Sequence, residues 1–266
     1  METKQKYALI TGATSGIGFE LAKLFAHNNY NLVIVARSQE ELDVTAIKLE
    51  LLFGTDVIKI AKDLFKMDEV FSLCEEIKNE GIIIDVLVND AGQGLYGEFK
   101  DTDIERELNI IHLNICATVI LTKYFMKDML TRGKGKILNL GSVADKLPAP
   151  WQSVYHATKA FVLSFTTAVR EELKGTGITL TTLVPGITDT DFFNKAGMNG
   201  SKNMQYKETM AKPADVAMDG YKALMAGEDQ VTSGFKNKAQ GNMHNMVPHN
   251  GVIHALYEQQ KPAGSR

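Results

Sequence analysis

Residues 7–18 read Tyr7-Ala8-Leu9-Ile10-Thr11-Gly12-Ala13-Thr14-Ser15-Gly16-Ile17-Gly18, and their order decides the fold. A strand-like apolar run ends in Thr11, three glycines follow at G-x-x-x-G-x-G spacing, and a helical pattern starts at about residue 17. Glycines let a backbone turn tightly and approach a pyrophosphate with no Cβ in the way. The helix that follows offers N–H groups and a partial positive charge to the phosphates. Three glycines alone are a weak signal; the order of strand, loop and helix makes this a dinucleotide-binding turn. Gly12, Thr14, Ser15, Gly16, Ile17 and Gly18 are its candidate cofactor contacts.

Outward from this turn, β-branched apolar runs alternate with helical patterns. The strand candidates are residues 7–11, 31–36, 56–61, 86–89, 136–140 and 178–184. They are nearly continuous apolar runs, as expected of parallel strands covered on both faces. Helical patterns cover about 17–28, 38–52, 68–80, 103–131 and 153–174. The expectation is an α/β fold, a Rossmann-type doubly wound parallel sheet forming one domain over 1–266. Such a sheet binds its ligand at the carboxyl ends of the strands. The segment at about 188–212 is rich in Gly, Asn, Lys and Met and reads as a substrate lid. Pro213-Ala214-Asp215 then opens another helix. Residues 231–234 suit a last strand and 248–260 a final helix.

Composition narrows the class. The chain has 266 residues, 44% hydrophobic and 23% charged, which is the balance of a globular protein. A net charge of -3 gives no basic excess for a nucleic-acid partner. The six histidines lack metal-ligand spacing, so no metal is expected. The two cysteines, Cys74 and Cys116, read as small buried hydrophobes in a reducing compartment. Residues 1–6 are polar and show no secretory pattern, and no run approaches the roughly 18 apolar residues that span a bilayer. The expected location is the cytoplasm, without a membrane partner.

Two further stretches carry chemistry. The second strand ends in Val35-Ala36-Arg37-Ser38, where an NAD enzyme of this type usually carries an acid for the ribose hydroxyls. Ala36 repels nothing, Arg37 can take a 2′-phosphate in a bidentate way, and Ser38 can add a hydrogen bond or cap the next helix. NADP(H) is therefore expected over NAD(H). Tyr155 and Lys159 stand at i and i+4, on one face of a helix. A free phenol has a pKa near ~10, too high for ready proton exchange at neutral pH, and an adjacent ammonium lowers it. The pair suits an acid that protonates a carbonyl receiving a hydride.

Together these stretches resemble the short-chain dehydrogenase/reductase (SDR) family, whose motifs appear in order from about residue 6 to 235. The resemblance implies an NADP-dependent oxidoreductase interconverting a ketone or aldehyde with an alcohol. It places Ser142 on the substrate carbonyl and Asn114 on a water that connects Lys159 to solvent. It gives Lys159 the nicotinamide ribose hydroxyls as well. Asp63 and Leu64 would lie at the adenine. Asn89-Asp90-Ala91-Gly92 resembles the family's N-N-A-G motif, with Asp90 in place of the second Asn, which implies that it stabilises the central strand and passes under the cofactor. Pro185, Gly186, Thr188 and Thr190 match its P-G-x-x-x-T loop, which holds the carboxamide end of the cofactor. Residues 31–38 (NLVIVARS) and 213–217 (PADVA), with the late residues 234–238, resemble a DltE-like subgroup. Gln93, Gly94, Ser142, Ala144, Pro148, Trp151 and Tyr155 would bound the substrate, which their mostly neutral character makes an uncharged carbonyl. The 153–174 helix is apolar on several faces, as a helix buried on more than one side is, and the resemblance implies that it and the 103–131 helix pair across an axis of a homodimer or homotetramer. Two rivals are a non-enzymatic dinucleotide sensor and an extended-SDR epimerase or dehydratase. Sensors tend to lose the Tyr or Lys, and the extended enzymes carry another glycine spacing and a longer C-terminal domain.

Overall fold

A computed structural model describes residues 5–145, 148–198 and 210–233. The expected helix at 248–260, the late residues 234–238 and the centre of the lid lie outside them.

Among the described residues, seven parallel strands form one sheet: β1 (Tyr7–Thr11), β2 (Asn31–Ala36), β3 (Val57–Ala61), β4 (Ile84–Asn89), β5 (Gly135–Leu140), β6 (Ile178–Val184) and β7 (Gln230–Thr232). Their spatial order is β3-β2-β1-β4-β5-β6-β7. The strands alternate side chains between two cores. Ala8 and Ile10 of β1 and Leu32 and Ile34 of β2 enter one core, while Leu9, Val33 and Val35 enter the other. Burial on both faces is why the strands show no polar alternation. α1 (Gly16–His27) and α8 (Pro213–Ala226) cover the first face through Leu21, Phe25, Val216 and Leu224. α2 (Gln39–Phe53) reaches the same core through Leu42 and Leu49. α3 (Met67–Asn79) and α5 (Thr118–Arg132) cover the second through Leu73, Ile77, Leu121 and Phe125.

The chain winds one way from β1 through β3 and the other from β4 onward. The strand order therefore reverses between β1 and β4, where Thr11 is in register with Asn89. The loops after these two strands diverge and leave a crevice at the carboxyl edge.

The long helix expected at 103–131 is interrupted. α4 (Ile104–Ile111) passes into a π-helical turn at His112–Ala117 before α5 begins. The Thr118 hydroxyl donates to the Asn114 carbonyl at 3.0 Å, within this widened turn. Ile104–Arg132 is long and apolar enough, by length and composition alone, to cross a membrane, although its apolar residues do not form one unbroken run. Polar residues such as Asn114 interrupt the run without lowering its mean hydropathy enough. Leu113, Ala117, Leu121, Phe125 and Met129 from this helix are buried in the second core.

Candidate active site

The phosphate turn is built as its glycines require. Gly12 and Gly16 take φ of +71° and +57°, and a Cβ on Gly18 would collide with the Gly12 carbonyl oxygen. Ser15 precedes α1 in an extended conformation, with no side-chain hydrogen bond capping the first turn. A helix N-terminus without a side-chain cap, under a cradle that only glycine can line, fits a pyrophosphate. The loop after β6 closes over the turn: a Cβ on Gly16 would lie 3.1 Å from the Thr190 methyl carbon. Thr188 is buried, and its hydroxyl donates to the Gly186 carbonyl at 2.9 Å.

At the far end of the crevice the Arg37 guanidinium lies over the Phe65 ring, 5.2 Å from its centroid. Arg37, Phe65, Gln93, Arg106 and Asn109 line a cavity of about 220 Å³. Ser38 caps α2, accepting from the Glu41 N–H at 3.2 Å and donating to Glu40 at 2.8 Å. The Thr14 hydroxyl donates to Glu41 at 3.1 Å. Asp63 accepts from the Phe65 N–H at 3.2 Å, shaping the turn after β3, while the Leu64 side chain is buried. Asn89 turns away from the crevice: it donates to Asn139 at 2.8 Å and Thr122 at 3.0 Å in the core. Only its backbone is left to face a cofactor. The Thr11 hydroxyl accepts from the N–H groups of both Asp90 and Ala91 at 3.1 Å, which locks the β4 loop to the phosphate turn.

The four candidate catalytic residues converge beside this crevice. α6 (Ser153–Glu172) carries Tyr155 and Lys159. The Tyr155 hydroxyl hydrogen-bonds with Ser142. Ser142 sits just before a 3-10 turn at Val143–Asp145, and its hydroxyl accepts from the Ala144 N–H at 3.1 Å. The Lys159 ammonium donates to the Leu140 carbonyl at 2.9 Å and lies 5.9 Å from the Tyr155 ring centroid. Asn114 clamps the β4 loop in both directions, accepting from the Gln93 N–H at 3.0 Å and donating to its carbonyl at 2.9 Å. It also donates to Thr158 on α6 at 3.0 Å. A Cβ on Gly92 would lie 3.3 Å from the Asn114 carbonyl oxygen and 3.6 Å from the Lys159 nitrogen. Backbone must therefore pass between these two side chains.

The electrostatics differ from the simple pairing read in the sequence. Burial pushes the Tyr155 phenol up to about 12, Ser142 opposes the shift and Asp145 adds to it. Burial lowers Lys159 to about 8, against the opposing charges of Asp90 and Asp145. At neutral pH the phenol thus keeps its proton and Lys159 its charge. Burial likewise raises Asp90 to about 7, opposed first by Lys159 and then by the Gly18 N–H.

The substrate side holds residues that the sequence did not single out. α7 (Phe192–Lys195) places the Phe192 ring 5.1 Å from Tyr155. A Cβ on Gly94 would stand 2.8 Å from that Phe192 ring. Tyr96 stacks on Trp151 at 5.6 Å with 20° between planes. Trp151 has φ of +69°, costly for a bulky residue, and its carbonyl accepts from the Gly97 N–H at 2.9 Å. The Tyr96 N–H donates to the Ala196 carbonyl at 2.9 Å, joining the β4 loop to α7. The adjacent aromatic pair Phe192-Phe193 in an otherwise polar segment was the available signal for α7. Nothing local marked Tyr96 or Asp145, whose neighbours come from distant segments.

Residues 6–200 match the short chain dehydrogenase family. The chain is 35% identical over 191 residues to the uncharacterized oxidoreductase YvrD of Bacillus subtilis (strain 168), covering 72% of each. It is 34% identical over 211 residues to sulfoacetaldehyde reductase 2 of Chromohalobacter salexigens, covering 78% of this chain and 83% of that one. In three dimensions it is similar to a short-chain dehydrogenase from Sphingobium yanoikuyae in complex with NADPH. That likeness has a TM-score of 0.82 and 27% identity, and covers 98% of both chains. Fold and site thus define an oxidoreductase of the nicotinamide dinucleotide type. The chain belongs to the short-chain dehydrogenase/reductase family.

Proposed function

We propose that the protein is an NADP(H)-dependent reductase of uncharged ketones or aldehydes, with Tyr155 as general acid. The observation that carries this reading is the Tyr155 hydroxyl bonded to Ser142 above a buried Lys159. The two hydroxyls define where a carbonyl oxygen sits. When bound, the nicotinamide supplies a hydride to the carbonyl carbon. Tyr155 gives its proton to the oxygen as negative charge develops there, while Ser142 orients that oxygen. Lys159, fixed by the Leu140 carbonyl, stabilises the phenolate that remains. Asn114 holds the β4 loop and Thr158 in place around them. Phe192, Tyr96 and Trp151 make this side aromatic, which suits an apolar substrate. NADP(H) is favoured because Arg37, just after β2 and supported on the Phe65 ring, offers a charged fork that a 2′-phosphate could take. Consumption of NADPH against a panel of apolar ketones and aldehydes tests the reading; no turnover of any carbonyl contradicts it.

The shifted groups set the pH dependence. Lys159 is cationic below about 8 and loses that charge as pH rises through it. Reduction should therefore be supported at neutral pH and decline above about pH 8, before the phenol itself ionises. A kcat profile with NADPH saturating checks this, and one that stays flat through that range contradicts it.

We also propose a homo-oligomer that pairs α4 and α6. Phe161 is 40% exposed and stacks on Phe165 at 6.0 Å, while Ile104 and Leu108 on α4 are exposed as well. Exposed apolar groups on neighbouring helices suit a second copy. Phe161→Glu should reduce the sedimenting mass by half or more at micromolar concentration, and an unchanged mass would exclude this face.

A further inference from the structure

Asp90 is a half-buried acid that the reaction above leaves without a task. Its carboxylate is wedged beneath the phosphate turn. A Cβ on Gly18 would stand 2.5 Å from its Oδ2, and one on Gly12 would stand 3.2 Å away. The Gly18 N–H, in the first turn of α1, favours its charged form. Its own N–H is held by the Thr11 hydroxyl at 3.1 Å, so the main chain cannot swing aside.

We propose that Asp90 makes dinucleotide binding proton-linked: the cofactor pyrophosphate and the ionised carboxylate compete for the same helix N-terminus, so binding takes up a proton at Asp90. This inference rests on the cofactor reading given above. A carboxylate against the first turn of α1 draws on the same partial positive charge that would hold the phosphates. Like charges this close to one site cannot both stay ionised without cost. The glycine walls leave the side chain little room to withdraw, so taking up a proton is the available relief. The family motif carries a neutral amide at this position, which would make no such demand.

The surroundings allow the titration. β1 presents the Thr11 hydroxyl, the phosphate turn presents Gly12, and α1 presents the Gly18 N–H. From α6, the charge acting on Asp90 among the described residues is that of Lys159, which Asp145 also faces. Asp90 is already raised to about 7 before a phosphate arrives. The carboxylate in turn helps Lys159 keep its proton.

Calorimetric titration of the full chain with NADPH, in two buffers of different ionisation enthalpy, counts the protons taken up on binding. At about pH 8, one unit above the value for Asp90, the wild type should take up a substantial fraction of a proton. Its Kd should rise with pH above about 7, by at most about tenfold per pH unit. Asp90→Asn should abolish most of that uptake, flatten the pH dependence and bind NADPH several-fold more tightly at about pH 8. NADH, which lacks the 2′-phosphate, should give the same difference between the two proteins. Asp90→Ser, with its thermal unfolding measured alongside, guards against a folding defect in the Asn variant. Equal proton uptake by wild type and both variants overturns the proposal. Failure of NADPH to bind the wild type would instead remove the cofactor reading on which it rests.

Discussion

Tyr155→Phe is expected to lower kcat for carbonyl reduction by about 10³-fold, the range of a positioned general acid. The substitution removes one oxygen and keeps the ring. Contacts with Phe192 at 5.1 Å and with Gly94 should persist, so the fold and the substrate wall should be preserved. The loss falls on the proton alone: the Ser142 hydroxyl remains, accepting from the Ala144 N–H. The Kd for NADPH should change less than about threefold, since the phenol is not an ionic contact to the cofactor. Single-turnover rates and calorimetric titration of the same variant separate the two quantities. Full activity in the variant would remove Tyr155 from the role of acid.

Arg37→Ala should raise the Kd for NADPH by about a hundredfold, corresponding to one or two charge-assisted hydrogen bonds. NADH binding should change by less than about threefold, because Arg37 would meet only the extra phosphate. The surroundings amplify the effect. Glu40 accepts from Ser38 at 2.8 Å and Glu41 accepts from Thr14 at 3.1 Å, so two acids stand beside the proposed phosphate seat. Arg37, supported on the Phe65 ring, offsets them; without it a phosphate would face carboxylates. Competition titrations with both cofactors check the ratio, and an equal loss for both refutes the phosphate role. The Ser38 hydroxyl is occupied as the α2 cap, so Arg37 carries most of this preference.

The architecture was legible where its causes are local. Strands buried on both faces announce themselves as unbroken apolar runs, and the glycine turn by the absence of side chains where two backbones meet. The start of β4 was missed because Asp85 looks like an interruption. In the fold, that acid accepts from the Tyr7 N–H at 3.3 Å and pairs with Arg132 at 3.4 Å, so a charge is tolerated at the strand entrance. The π turn at His112–Ala117 was invisible to helical periodicity. The Asn114 side chain within it is held by Gln93 and Thr158, residues remote in sequence. Tyr155, Lys159, Ser142 and Asn114 were readable as a set from their order along the chain. Their proton affinities were not. Spacing suggested that Lys159 draws the phenol down, whereas burial raises it and Asp145, brought in by the turn after Ser142, adds to the rise. Asn89 shows how a motif reading divides between atoms: the resemblance implied both support for the central strand and a place under the cofactor, and the side chain serves the core through Asn139 and Thr122.

The central claim is that this chain moves a hydride onto a carbonyl carbon while Tyr155 supplies the proton. NADPH deuterated at the transferred position of the nicotinamide, mixed with purified protein and an apolar ketone that it turns over, tests that most directly by mass spectrometry of the alcohol. One deuterium is expected on the carbinol carbon, formed by the wild type and not by Tyr155→Phe. An alcohol without deuterium, or labelled alcohol formed equally by both proteins, would contradict it.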